Sequence, residues 1–234
     1  MLFLNQDLKS TPAEPPFVIN APDPAGSYLK TWKTAGRDCL NVTLRRNQPL
    51  DENGKVRAEL RVHREGTPAR LFQMDPMGSR RSSAIGLYVP EDWQRDGQKV
   101  ILFQWHHYGE GVSGGNPPLA FFIWNDNLYC RLWHGDKSDA ASFVDLYKAH
   151  CPKGQWLHFR VGIKWDAVNG EVEALLYGKP MFPKYSGPIG YKDSPFIYSS
   201  IGMYWPGAKS SSVQSHQASY GWWKIGETLA DLEP

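Results

Sequence analysis

The stretch WLHFRVGIKWDAVNGEVEALLYG, residues 156–178, decides what kind of fold this chain can adopt. Leu157, Phe159, Val161, Ile163 and Trp165 occupy every second position, and His158, Arg160, Gly162 and Lys164 fill the gaps. Side chains of a β-strand point alternately to opposite faces, so this spacing gives a strand with one apolar and one polar face. Asn169-Gly170 suits the positive-φ positions of a type I′ turn, and EVEALLYG then returns with the same alternation. The segment reads as a β-hairpin.

The same pattern extends in both directions. RAELRVH (57–63), AIGLYVP (84–90), KVILFQWHHY (99–108), LAFFIWNDNLYCRLWH (119–134), FIYSSIGMYW (196–205) and ASYGWWKIGE (218–227) are rich in β-branched and aromatic residues, with a hairpin turn at NDN (125–127). Only DAASFVDLYKA (139–149) suggests a short helix. Residues 1–26 hold Pro12, Pro15, Pro16, Pro22 and Pro24, which predicts an extended arm or a docked edge strand. Residues 27–234 read as one domain. The expected class is all-β, a sandwich of two antiparallel sheets for which a jelly roll is one solution.

Composition narrows the function. A net charge of +2 over 234 residues gives no global field for nucleic acid or membranes. No apolar run reaches the ~18 residues of a spanning helix, and the N-terminus does not read as a signal peptide. Ten Trp, eleven Tyr and ten Phe suit sheet packing and sugar-binding grooves alike. Cys39, Cys130 and Cys151 lack zinc spacing and allow at most one disulfide. Nothing in the sequence sets the oligomeric state.

Alternation also assigns faces. Arg57, Glu59, Arg61 and His63 share one face; Gln104, His106 and Tyr108 share another with Val100 and Leu102, opposite Ile101, Phe103, Trp105 and His107. Tyr198, Ser200, Gly202 and Tyr204 line up on a third strand. Solvated faces favour Lys, Glu, Thr and Ser, whereas these carry Gln, His, Tyr and Arg. If the strands are neighbours, the faces merge into one groove, with His107 structural on the other side. GEGVSGGNPP (109–118) reads as a lid over the groove or as only a long connection, and its length and glycines fit a functional loop.

The ordered segments RAEL (57–60), FQWHH (103–107), PPLAFFIWNDNLY (117–129), GQWLHFRVGIKWDAVNGEVEALLYGKP (154–180), IGMYWPG (201–207) and ASYGWWKIGET (218–228) together resemble the heparin lyase I and glucuronan lyase group of polysaccharide lyases. The resemblance implies a β-jelly-roll with a concave groove, β-elimination on a uronic-acid polysaccharide, no required cofactor and a structural Ca2+ at most. Oxygen ligands for such an ion are available in NDN or WDAVNG. It carries the catalytic positions onto Arg57, Gln104, His106 and Tyr204. Glu59, Arg61, Tyr108, Arg160, Lys164, Tyr198 and Trp205 are the accompanying substrate-binding candidates. The family commonly has Arg directly after the tyrosine, where this chain has Trp205. Such a substrate implies an extracellular or surface-associated protein.

These residue types fit the chemistry. Elimination removes the C5 proton next to a carboxylate and expels the C4 oxygen, so the site must neutralise the carboxylate and supply a base and an acid. Arg57 and Gln104 suit the first task. For the second, either His106 is base and Tyr204 acid, or Tyr204 serves in both roles. Two other readings compete: a non-catalytic carbohydrate-binding module, favoured by Trp205, and a virion or cell-surface structural protein. No GxSxG marks a serine hydrolase. Glu59, Glu110, Glu171 and Glu173 offer carboxylates for glycoside hydrolysis, with no pair singled out.

Overall fold

In the computed structural model, alternating apolar residues fold the chain into two stacked nine-stranded sheets whose inner faces form the core. The structure describes residues 2–7, 17–20, 29–51, 54–62, 75–108, 115–138 and 141–232, with side chains from residue 30 onward, Val62 excepted. His63, Glu110 and residues 109–114 of the glycine-rich loop lie outside the described residues, as does most of the proline-rich segment.

The first sheet runs β14 (Lys179–Pro180), β13 (Gly170–Leu176), β12 (Gln155–Lys164), β7 (Arg80–Val89), β18 (Ser215–Gly226), β4 (Arg37–Arg45) and β3 (Leu29–Thr34). In addition, β1 (Leu2–Asp7) pairs with β18 and β15 (Tyr185–Gly187) with β13. The second runs β11 (Ser142–His150), β10 (Asn127–Gly135), β9 (Leu119–Trp124), β8 (Val100–Tyr108), β17 (Phe196–Tyr204), β5 (Arg57–Val62) and β2 (Phe17–Asn20). There β16 (Gly190–Tyr191) pairs with β10 and β6 (Asp75–Pro76) with β17. Among the described residues all strand pairs are antiparallel except β10 with β16. Two strands of the proline-rich segment thus join the sandwich: β2 at an edge of the second sheet and β1 against β18.

Core-facing side chains follow the period of two. Leu157, Phe159, Val161 and Ile163 from β12 meet Phe103, Trp105 and Phe121 from the second sheet, with Phe103 and Phe121 stacked at 4.4 Å. At ~25 cal/mol per Å² of apolar area removed from water, such interdigitation is the main favourable term in folding. Cys39, Cys130 and Cys151 are buried and free, so no disulfide contributes.

Three local expectations are corrected. Residues 142–150 form β11, not a helix. Cys130 pairs with Tyr147 and Arg131 with Asp145, so Leu146 is an extra residue in a bulge, and the broken alternation hides the strand. The hairpin between β12 and β13 does not turn at Asn169-Gly170. It turns over residues 165–169, where Asp166 Oδ1 accepts the N–H groups of Val168 and Asn169. Finally, β8 changes phase at Leu102. Val100 and Leu102 join the core and Ile101 moves to the face of Gln104 and His106. The NDN turn, by contrast, is a two-residue connection with Asn125 and Asp126 at φ 50 and 65.

Candidate active site

Three adjacent strands bring the catalytic candidates together. On the central strand β17, Tyr198 faces His106 of β8; Ser200 faces Gln104 of β8 and Arg61 of β5; Gly202 faces Glu59; Tyr204 faces Arg57. Their side chains form one polar strip on the face opposite the core residues Ile201, Met203 and Trp205. From Tyr198 to Tyr204 the strip spans six residues, about 20 Å of straight strand, which suits a polymer better than a single small molecule.

Charge organises the strip from beneath. Glu59 is fully buried, its Oε1 accepting a 2.6 Å hydrogen bond from Gln104 Nε2. Its Oε2 lies 3.5 Å from Arg57 Nη1 and 3.8 Å from Arg61 Nη2. Glu59 therefore orients the groups that face outward and is not itself exposed to a ligand, which corrects its expected role as a substrate contact. Asp51, absent from the candidates, completes the network: its Oδ2 is 2.8 Å from Arg57 Nε, while its Oδ1 accepts the Lys55 N–H. The signal for it was weak, one acid in a polar turn. Arg57 is held over the Tyr204 ring at 4.3 Å and Arg61 over the Tyr198 ring at 5.4 Å, so both guanidiniums are fixed by acids and aromatic faces together.

The protonation states are set by burial. His106 is pushed down to about 3, first by burial, then by His107 and the Arg61 and Arg57 charges; its hydrogen bond to the His107 carbonyl works against this. That carbonyl lies 3.1 Å from Nδ1 and can only accept, so Nδ1 carries the proton and Nε2 the free lone pair. Tyr198 stacks on the ring at 5.6 Å. Burial raises the Tyr204 phenol above its ordinary value against the lowering pull of Arg57. At neutral pH the strip thus presents a neutral imidazole and a protonated phenol.

The remaining candidates divide. Tyr108 ends β8 on the His106 side, half-buried, opposite Phe196. Trp205 is wholly buried, its ring edge-on to His216 at 4.6 Å, and so is no substrate contact. The alternation that turns Tyr204 outward turns its neighbour inward. Arg160 and Lys164 belong to β12 in the first sheet, and that sheet's core face is taken by Phe159, Val161 and Ile163; the two cations lie on the far side of the molecule. His107 is buried, edge-on to Tyr191 at 5.0 Å. Among the described residues no group of three or more His, Cys, Asp and Glu could hold a metal ion. Asp126 binds Lys153 at 2.8 Å and Asp166 caps its own turn, so both proposed calcium-ligand segments spend their carboxylates locally.

Fold and strip together define an all-β jelly-roll protein with a polar face built on three neighbouring strands. The profile described as "Polysaccharide lyase" matches residues 23–222, and the chain belongs to that family; it is a polysaccharide lyase. An endo-β-1,4-glucuronan lyase from the fungus Trichoderma reesei shares the fold at TM-score 0.69, with 18% identity over 99% of this chain and 98% of the other. An alginate lyase from Pseudomonas aeruginosa does so at TM-score 0.60, with 14% identity over 91% and 98%. The alginate lyase of a Chlorella virus does so at 0.57, with 10% identity over 90% and 91%. No curated protein sequence matches the chain.

Proposed function

We propose that this lyase cleaves a uronic-acid-containing polysaccharide by β-elimination along the strip of β5, β8 and β17. The observation that carries the reading is the register: Arg57, Gln104, His106 and Tyr204, distant in sequence, lie on one face of three hydrogen-bonded strands. Arg57 and the second amide N–H of Gln104 hold the uronate carboxylate, so that the charge building up as the C5 proton leaves is stabilised. Either Nε2 of His106 or the phenolate of Tyr204 takes that proton. The C5 electron pair forms the C4–C5 double bond, the C4–O bond breaks, and Tyr204 gives its phenolic proton to the departing oxygen.

The length of the strip favours a second proton route. His106 and Tyr204 stand at its two ends, and Arg57 lies directly on the Tyr204 ring, lowering the cost of the phenolate. In that route the phenol first gives its own proton to solvent, the phenolate removes the C5 proton, and the same proton passes to the C4 oxygen as the C4–O bond breaks, which regenerates the phenolate. A buried Trp205 offers no platform for a sugar ring, which weighs against reading the strip as a non-catalytic sugar-binding face.

The test follows ultraviolet absorbance of the unsaturated product on glucuronan, alginate and glycosaminoglycans. Tyr204→Phe lowers turnover on the order of 10²–10⁴-fold with the fold intact; near-normal turnover would refute the assignment. His106→Ala separates the routes: a loss of similar size makes His106 the base, and a loss under about tenfold leaves Tyr204 in both roles.

A further inference from the structure

The strip is out of step with its neighbours at a single level. In β8, Ile101 faces Phe122 and Phe103 faces Phe121, so Leu102 is an extra residue relative to β9. In β17, Ile201 faces Phe103 but Tyr204 faces Ile101, so Gly202 and Met203 together oppose Leu102. The backbone at Gly202 is forced: φ is +118, and a Cβ there would lie 2.4 Å from the Ala58 carbonyl oxygen and 2.7 Å from Glu59 Cα. These irregularities separate Gln104 and His106 on one side from Tyr204 on the other. A one-residue slip in either strand would turn the side chains beyond it to the opposite face.

One side chain reaches both irregular residues. The phenol Oη of Tyr220, from β18 of the opposing sheet, lies 2.7 Å from the Leu102 carbonyl oxygen and 2.9 Å from that of Gly202. Tyr220 is fully buried and stands at an irregularity of its own strand, where the register with β7 shifts between Tyr220 and Trp222. Its single proton is shared between two carbonyls, so the hydroxyl ties the two strands at the level where each departs from regular pairing. Burial, with the Glu59 charge adding to it, holds this phenol well above its ordinary value, so it remains a donor throughout the working range.

We propose that Tyr220 is a positioning residue for the elimination: by clamping the Leu102 and Gly202 carbonyls together, it fixes the offset between the Gln104–His106 pair and Tyr204. It touches no substrate and acts through β8 and β17. The proposal rests on the assignment of those three residues to the reaction. It needs no change in ligand binding at the two ends of the strip, only a change in how they are set relative to one another.

Tyr220→Phe keeps the ring that fills the core and removes only the shared hydroxyl. The expected result is a loss of about 10- to 100-fold in kcat, because misplacing reacting groups by an ångström has an effect of that order, with KM within about twofold. Val172→Ala, a core truncation on β13 far from the strip, serves as the stability control, and all variants are assayed well below their own unfolding midpoints. Tyr220→Phe with kcat within about twofold of the parent, or with a loss no greater than that of Val172→Ala, overturns the proposal. Tyr204→Phe is run beside it. If Tyr204→Phe is inactive and Tyr220→Phe is normal, the positioning role alone fails; if Tyr204→Phe is active, the catalytic assignment fails first.

Discussion

The two sheets each present a face of alternating polar residues, and the two faces are built differently. On the first sheet Glu171 bridges Arg80 at 2.9 Å and Lys184 at 2.8 Å, and both cations are about half exposed. Lys164 donates to the Asn169 carbonyl of its own hairpin. On the second sheet Glu59 is fully buried, and the side chains of Arg57 and Arg61 are only 12% and 15% exposed. Ionic groups in water gain little from pairing, because solvent screens them. Ionic groups out of water must be paired and hydrogen-bonded, and any group left over is costly. The first face is a solvated surface. The second holds charges in fixed positions at a desolvation cost, which is the arrangement a site for a charged transition state requires.

The contrast is broken hardest at Trp205. Trp205→Arg, the residue common in the family at this position, should not restore a missing subsite; it should prevent folding. A guanidinium placed where the indole is fully buried carries an uncompensated desolvation penalty of several kcal/mol, against a total domain stability of about 5–15 kcal/mol. Expression and circular dichroism check this, and a soluble, folded and more active variant would contradict it. Next in size is Glu59→Ala, which leaves Arg57, Arg61 and Gln104 without their shared acceptor. It should cost about 3–5 kcal/mol in urea denaturation. Glu171→Ala, its counterpart on the first sheet, should leave the unfolding midpoint unchanged.

The same contrast explains what was legible in the sequence. Inner strands such as β12 bury one face fully, so their alternation survives and the fold class could be read directly. The edge strand β11 has mostly exposed side chains and a bulge at Leu146, and it passed for a helix. The strip was legible as three sets of outward residues, one each on β5, β8 and β17, because Arg57, Gln104, His106 and Tyr204 alternate with their core-facing neighbours. What alternation cannot supply is which sheet a strand joins; this is why Arg160 and Lys164 were placed with the site. Nor does it supply depth, so Glu59 passed for a contact and Asp51 went unnoticed. Trp205 is a different case. Its inward face followed from Tyr204 by the period of two, and only the family's Arg at that position argued otherwise.

A smaller effect separates the faces by pH. His106 titrates near 3 in the folded protein against about 6.5 when unfolded, so between these values the unfolded chain binds more protons. The stability it contributes is therefore complete above about pH 6.5 and is lost as pH falls toward 3. His216, lowered by burial although Asp96 lies 3.0 Å away, works in the same direction. Urea midpoints at pH 7 and pH 5 should show His106→Ala losing less stability on acidification than the parent. Equal losses would mean that the imidazole is not held neutral by its surroundings.

The smallest expected effect is the double variant Arg160→Ala, Lys164→Ala. Both residues looked like positive lining for an acidic polymer, and both lie on the sheet that carries no part of the strip. Removing two cations weakens any long-range attraction to a polyanion, but over such a distance salt screens it, since the Debye length is about 8 Å at physiological ionic strength. At that salt, kcat should be unchanged and KM should move by less than about twofold. The comparison is sharpened by repeating the assay in dilute buffer. A KM that rises only there identifies diffuse steering, whereas a rise that persists in salt requires the polymer to touch the first sheet. The latter result would extend the binding surface around the sandwich and end the division of labour between its two faces.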